Sequence, residues 1–333
     1  MRKMYRRVRN AIVGIILVSI PAVAWVWQDR PGVSALGQPI EAQPVAPESG
    51  VTVTWFGVST LLFDDGQTQL LVDGFFSRPT LIDVAMDREV SSDAATINYM
   101  LETYQISRLA AVVAVHSHFD HAMDVGAIAS RTDAVVMGSE STANIARGAG
   151  VPEYHIRTAG QSLSETFGQF TVRMIRTRHA PASRRGEPPI PGKIVAPLLQ
   201  PAPVSSWKEG DSYSIVIEHP LGNSLVQASA GFIVDALADI EVNTVFLGMA
   251  LLTRMDDEYV HAYWQESVVK PGAANVIAIH YDDFLQPLGQ VRLFPRVIDD
   301  PPATVARLRE YAAKTGRPAN IRIPQFGSAI LLY

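Results

Sequence analysis

A chain of 333 residues with 47% hydrophobic residues can bury a core without crosslinks and lacks the low hydrophobicity of a disordered chain. Its formal net charge of −5 argues against a nucleic-acid partner, because phosphate recognition needs a basic face. Having no cysteine excludes disulfides, thiolate ligands, a cysteine nucleophile and a lipoprotein anchor, so any metal must be held by His, Asp or Glu.

At the N-terminus, Arg2, Lys3, Arg6, Arg7 and Arg9 precede an uncharged, mostly apolar run from Ala11 to Trp27. That order is the pattern of a signal anchor or a signal peptide over residues 1–30. Pro21 followed by Ala22-Val23-Ala24 suits a cleavage site, whereas Trp25 and Trp27 suit the aromatic belt of a membrane helix. Both readings keep the basic end cytoplasmic and carry the rest across, either membrane-anchored or exported to a periplasm. Residues 31–50, with Pro31, Pro39, Pro44 and Pro47, read as an extended proline-rich linker. Residues 51–333 then form one further domain.

Within that domain Val51–Phe56 alternates like a strand, and Thr60–Phe63 and Gln69–Val72 flank Asp64-Asp65-Gly66, a hairpin signal. Leu109–Val115 is a continuous apolar run that fits a strand buried on both faces. A helix near Met123–Ser130, a strand at Ala134–Met137 and a helix near Thr142–Arg147 follow. Strands are expected at Phe170–Arg176, Ser212–Glu218, Ser224–Ala228 and Thr244–Leu247, a helix at Glu258–Val269 and a strand at Asn275–Ile279. A helix near Ala303–Lys314 and a strand at Ala329–Leu332 end the chain. Two blocks of strands, each followed by helices, point to two sheets packed face to face with helices outside. The proline-rich stretch between His179 and Ser212 reads as a long insertion, a kind of segment that is more often functional or disordered than a mere connector.

The chemistry concentrates in His116-Ser117-His118-Phe119-Asp120-His121, which holds three of the eight histidines of the chain. A buried strand that ends in three imidazoles and a carboxylate delivers side chains that bind divalent metals well. Other mechanisms lack their motifs: there is no Gly-x-Ser-x-Gly elbow, no phosphate loop around Gly192-Lys193, and no dinucleotide fingerprint at Gly148-Ala149-Gly150.

The His116-x-His118-x-Asp120-His121 run is similar to the signature of the metallo-β-lactamase superfamily, and the order of elements follows that family over roughly Val51 to Tyr333. The resemblance implies an α/β fold, a four-layer αββα sandwich. It implies a metal-dependent hydrolase that uses metal-bound hydroxide on an ester, lactone, amide or phosphodiester bond of a small-molecule or lipid-like substrate. In its terms His116, His118 and His179 bind one ion, while Asp120, His121 and His280 bind a second and Asp120 orients the attacking water. The ion is zinc, in one or two copies, with iron or manganese also suited to the donors. Trp55-Phe56-Gly57-Val58-Ser59-Thr60 and Leu71-Val72-Asp73-Gly74 resemble the branch of sugar-phosphate lactonases and the N-acylphosphatidylethanolamine phospholipase D type. That branch often carries histidine where Val58 stands.

The superfamily usually bridges its two ions with an aspartate, and Ser229 in Gln227-Ala228-Ser229-Ala230-Gly231 occupies the corresponding position. Serine is a poor bridging ligand at neutral pH, which predicts a weakened second site. Asp73 is a candidate acceptor for a ligand histidine, or an ordinary aspartate at a strand end. His155, His219 and His261 read as surface or packing residues, with His261 the best of the three for a place in the pocket. A non-catalytic membrane-tethered metal protein and an iron-dependent redox protein are the competing readings of the same residues.

Overall fold

The computed structural model describes residues 26–37, 39–40, 50–182, 186–315 and 320–333. Among these the strands are, in chain order, β1 (Thr52–Trp55), β2 (Leu61–Asp64), β3 (Gln69–Val72), β4 (Glu89–Val90), β5 (Leu109–Val113), β6 (Val135–Gly138), β7 (Ile156–Thr158) and β8 (Ser162–Phe167). They continue as β9 (Phe170–Thr177), β10 (Ala202–Pro203), β11 (Ser212–His219), β12 (Gly222–Gln227), β13 (Thr244–Gly248), β14 (Asn275–Ile279), β15 (Asn320–Arg322) and β16 (Ala329–Leu331). The α-helices are α1 (Leu81–Ala85), α2 (Ala94–Thr103), α3 (Phe119–Ala122), α4 (Val125–Thr132), α5 (Glu140–Gly148), α6 (Asp257–Trp264) and α7 (Pro301–Lys314).

One seven-stranded sheet runs β16-β1-β2-β3-β5-β6-β7 and the other β15-β14-β13-β12-β11-β9-β8. Each is mixed: β3, β5, β6 and β7 are parallel in the first, and β12 to β15 in the second, with antiparallel strands at the other end. Strand alternation sorts the layers. Val53, Trp55, Leu61, Phe63, Leu70, Val72, Ala111 and Val113 join one core with residues of the second sheet, and Phe63 meets Phe246 edge to face at 5.5 Å. Their neighbours Leu62, Leu71 and Val112 instead join Ile97, Met100, Ile128 and Ile145 of the helices. Helices α2, α4 and α5 therefore cover the first sheet, and α6 and α7 pack with the second through Val260, Tyr263, Val305 and Leu308. This is the four-layer αββα sandwich expected from the sequence.

The β2–β3 hairpin forms on Asp64-Asp65-Gly66, where Asp65 Oδ1 accepts from the backbone of Gln67 and Thr68. Helices α1 and α2 and strands β4, β7, β8, β10 and β15 have no counterpart among the elements expected from the sequence. Only Ile97 and Met100 of α2 are buried, too thin a stripe to stand out, and β8 is a half-exposed edge strand.

Two parts of the N-terminal reading meet the structure differently. The basic cluster and most of the apolar run, residues 1–25, lie outside the described residues. No helix among the described residues is long and apolar enough to cross a membrane. The stretch expected as an extended tether is in part docked: Val33–Leu36 forms a 3-10 turn, Leu36 is fully buried, and Ile40 donates its backbone N–H to Ile323. The insertion after His179 is also packed, since Ile194, Ala202, Val204 and Trp207 are buried in the core under α5 and its neighbours.

Candidate metal centre

All the donors named from the sequence stand beyond the carboxyl ends of strands. Asp73 follows β3, His116 comes three residues after β5, and His118 begins α3, which carries Asp120 and His121. From the second sheet, His179 follows β9, Ser229 follows β12 and His280 follows β14. Both sheets thus deliver polar side chains to one edge, mostly from their parallel portions, with His179 added from the antiparallel strand β9.

Two groups of donors result. In the first, His116, His118 and His179 bring one ring nitrogen each within 4.8 Å of one another; in the second, a carboxylate oxygen of Asp120 and one ring nitrogen each of His121 and His280 lie equally close. His116 Nε2 and His118 Nδ1 are 2.8 Å apart, and Asp120 Oδ2 lies 3.5 Å from His280 Nε2 and 3.6 Å from His121 Nε2. The groups adjoin: the His116 and His121 rings are 3.9 Å apart between centroids.

The outward nitrogens test whether these residues fit metal ions. A ligand imidazole normally gives its second N–H to an acceptor that fixes ring and tautomer. His121 Nδ1 donates to Asp73 Oδ2 at 2.8 Å, leaving Nε2 facing Asp120. His179 Nδ1 donates to the Ala180 carbonyl at 2.8 Å. His116 Nδ1 meets Ser229 Oγ at 2.9 Å, on the side of the ring away from His118. His118 Nε2 lies towards the carbonyls of Pro189 and Ile190 without forming a hydrogen bond of ordinary geometry. His280 Nδ1 is buried without a partner. Three of five rings therefore have a defined outer acceptor, and the inward nitrogens converge as ligands do. The residues fit two metal ions.

This geometry refines two sequence readings. Asp73 is fully buried and supports His121 rather than merely ending a strand; its Oδ1 accepts the Val115 N–H at 2.9 Å, and Ser59 Oγ donates to its Oδ2 at 2.5 Å. Ser229 reaches the site, but as the partner of His116 Nδ1, and its carbonyl also accepts from Ala180 beside His179. Ser59 lies within the Trp55–Thr60 stretch, and no local sequence signal points to this contact.

Burial governs the charge states. It lowers the pKa of His118 to about 4, with Asp120 pulling the other way, and that of His179 to about 3, where His118 adds to the effect. His116 is pushed well below the usual imidazole value by burial and by His121. The first group is thus three neutral imidazoles. Burial would raise the Asp120 carboxyl, but His121, His280 and His118 hold it well below the carboxylate range. For His121 burial lowers and Asp120 and Asp73 raise, and the net effect is upward.

A cavity of about 460 Å³ opens over both groups, with His118, Asp120, His179, Ser229 and His280 at its polar end. Its walls are mainly apolar and include Phe119, Ile190, Leu251, Phe284, Leu285 and Phe294. Arg254 is the only cation among the described lining residues. Several non-glycine residues around it have left-handed backbone, including Val58 (φ 51°), Asp73 (φ 54°), Leu251 (φ 61°) and His280 (φ 54°). Such conformations cluster where a fold holds functional side chains, and for β-branched Val58 the strain is greatest. The aromatic wall was not legible beforehand, because Phe284 and Phe294 come from a loop far along the chain. His261 is exposed beside the Tyr311 ring and does not line the cavity, which corrects its ranking. His219 is buried 3.6 Å from Asp65, and His155 lies against Tyr154.

Comparison with known proteins places this geometry in a family. A protein from Halobacterium salinarum named a UPF0173 metal-dependent hydrolase is 25% identical over 235 residues, 70% of this chain and 83% of that one. A second protein of that name, from Heliobacterium modesticaldum, is 29% identical over 109 residues, 33% of this chain and only 38% of the relative. Neither is named for the lactonase or phospholipase D branch. The solved structure of Igni18, described as a novel metallo hydrolase from Ignicoccus hospitalis, superposes with a TM-score of 0.50 at 15% identity, covering 84% of this chain and 97% of that one, and so shares the fold. The family model described as Metallo-beta-lactamase superfamily matches residues 53–223, more than half of the chain and including the histidine motif. The chain belongs to the metallo-β-lactamase superfamily.

Proposed function

We propose that the protein is a metal-dependent hydrolase of ester, lactone or amide bonds in substrates with an apolar portion. The observation that carries this reading is the pair of adjoining donor groups at the polar end of an apolar cavity. A donor set of five imidazoles and one carboxylate suits zinc, with iron or manganese as alternatives. His116, His118 and His179 would hold one ion and Asp120, His121 and His280 the other. Bound there, a divalent ion acidifies water and polarises the bond to be cut.

The protein's own groups supply the rest. Asp120 stays ionised and faces His121 and His280, so it can hold an ion or accept a hydrogen bond from the attacking water. A carboxyl so far below neutrality is a weak proton acceptor, so its role is orientation more than base catalysis. The apolar walls exclude bulk water and bind the hydrocarbon part of the substrate. The mainly apolar walls favour an acyl group with a hydrocarbon portion over a phosphodiester.

Elemental analysis of protein purified without chelator, paired with hydrolysis of ester, lactone, amide and phosphodiester panels, tests the proposal. Metal near stoichiometry, acyl hydrolysis and its loss in His116→Ala are expected. Absence of metal would overturn the reading, and metal without hydrolysis would favour a non-catalytic protein. We also propose that residues 1–30 direct the domain out of the cytoplasm, on the strength of the basic cluster before the apolar run. A fused reporter that works only in the cytoplasm should then be silent.

A further inference from the structure

Asp283 follows His280 by three residues and is buried, with 2% of its side chain exposed. Its partner comes from the other end of the chain: Arg30 Nη1 bonds to Asp283 Oδ2 and donates to the Leu293 carbonyl at 3.0 Å. These two contacts lie on opposite arms of one loop. Asp282 bridges to Leu293, and Asp283 N–H donates to the Arg292 carbonyl at 2.7 Å, closing the loop at its base. Asp283 Oδ1 accepts from Leu285 N–H, and its Oδ2 from Gln286 Nε2. The backbone of Asp29 accepts from Arg296 at 2.9 Å, so the N-terminal segment runs along the far arm.

That loop builds the site. It leaves directly from His280, and Phe284, Leu285, Phe294 and Ile298 form one wall of the cavity. The Phe284 ring packs on His280 at 5.8 Å and on Phe119 at 6.0 Å. His280 itself has no outer acceptor on Nδ1, unlike His121 and His179, so its ring relies on the loop for orientation.

We propose that Arg30 is a positioning residue for the second donor group, and that the segment after the apolar run belongs to the catalytic unit. Arg30 neutralises Asp283 and ties both loop arms, which holds His280 over Asp120. Without it a buried carboxylate would be left unpaired at the root of the loop, and the loop would shift to solvate it. Only Asp29 and Gln28 separate Arg30 from the apolar run, and both a cleavage after Ala24 and an uncleaved anchor retain the clamp.

The inference rests on the proposed metal site, so the test separates the two. Zinc is titrated into the metal-free full chain in detergent, by competition with a chromogenic chelator, for the unaltered protein, Arg30→Gln, Arg30→Lys, Asp283→Asn and His280→Ala. Disturbing the groups that orient a metal ligand typically weakens binding on the order of 10-fold or more. Arg30→Gln and Asp283→Asn should each weaken the second ion by about that factor, with the first ion within about twofold. Arg30→Lys should recover most of the loss, because both contacts are made from one nitrogen that an ammonium can replace. Unchanged affinity in Arg30→Gln, or equal weakening of both ions, overturns the clamp. If His280→Ala also keeps the second ion, the metal assignment itself is wrong; if His280→Ala loses it while Arg30→Gln does not, only the clamp fails. Should Arg30→Gln not fold, Asp283→Asn and Arg30→Lys decide by the same pattern.

Discussion

Asp73→Asn changes one atom and probes the second donor group through its support. Asp73 Oδ1 accepts from the Val115 N–H, a backbone donor that cannot reverse. The amide of an asparagine must therefore present its oxygen to Val115 and its NH₂ where Oδ2 stood, against His121 Nδ1 and Ser59 Oγ. A donor facing Nδ1 favours the tautomer protonated on Nε2, the nitrogen that faces Asp120, and so removes the lone pair an ion would use. Asp73 is fully buried, which leaves no exposed face from which solvent can repair the mismatch. Disrupting such a partner lowers metal affinity about 10–100-fold, equivalent to about 1.4–2.7 kcal/mol. Competitive zinc titration, with unfolding followed in parallel on metal-free protein, reads both ions. The second ion should weaken by that range while the first is held by His116, His118 and His179 as before. Equal affinities in the variant and the parent would refute the argument that Asp73 sets the tautomer of His121.

The remaining predictions concern the first group, acidity and the N-terminal stretch. Ser229→Ala should weaken the first ion on the order of 10-fold, because it removes the partner of His116 Nδ1; weakening of the second ion alone would show that Ser229 bridges instead. Acid should destabilise the metal-free protein. His118 at about 4 and His179 at about 3 both titrate below free imidazole near 6.5, so the unfolded chain binds more protons as pH falls from 6.5 towards 4. Each contributes a slope of up to about 1.4 kcal/mol per pH unit, and denaturant midpoints flat over that window would contradict their burial as neutral rings. Leu36→Ala should cost about 2–5 kcal/mol in denaturant unfolding, as for other buried leucines, whereas a true tether would show no change.

Much of this protein is written locally. Strands such as β3 and β14 have the bounds expected from their apolar runs, and the Asp64-Asp65-Gly66 turn forms as its residues require. The six-residue run from His116 to His121 is local too, since a buried strand leading straight into three imidazoles and a carboxylate has few other uses. Periodicity and donor chemistry act between near neighbours, so one chain segment suffices to read them. The partners of those donors are another matter. Ser59 and Asp73, 14 residues apart, meet at His121, and Ser229 meets His116 across 113 residues from the opposite sheet. Arg30 reaches Asp283 across 253 residues, from a stretch whose prolines suggested only a spacer. Which side of an imidazole receives its proton, and which loop walls the cavity, depend on how two sheets and a returning N-terminal segment pack. Packing sums many weak contacts between distant residues, none of which leaves a local pattern, and so these choices belong to the tertiary structure.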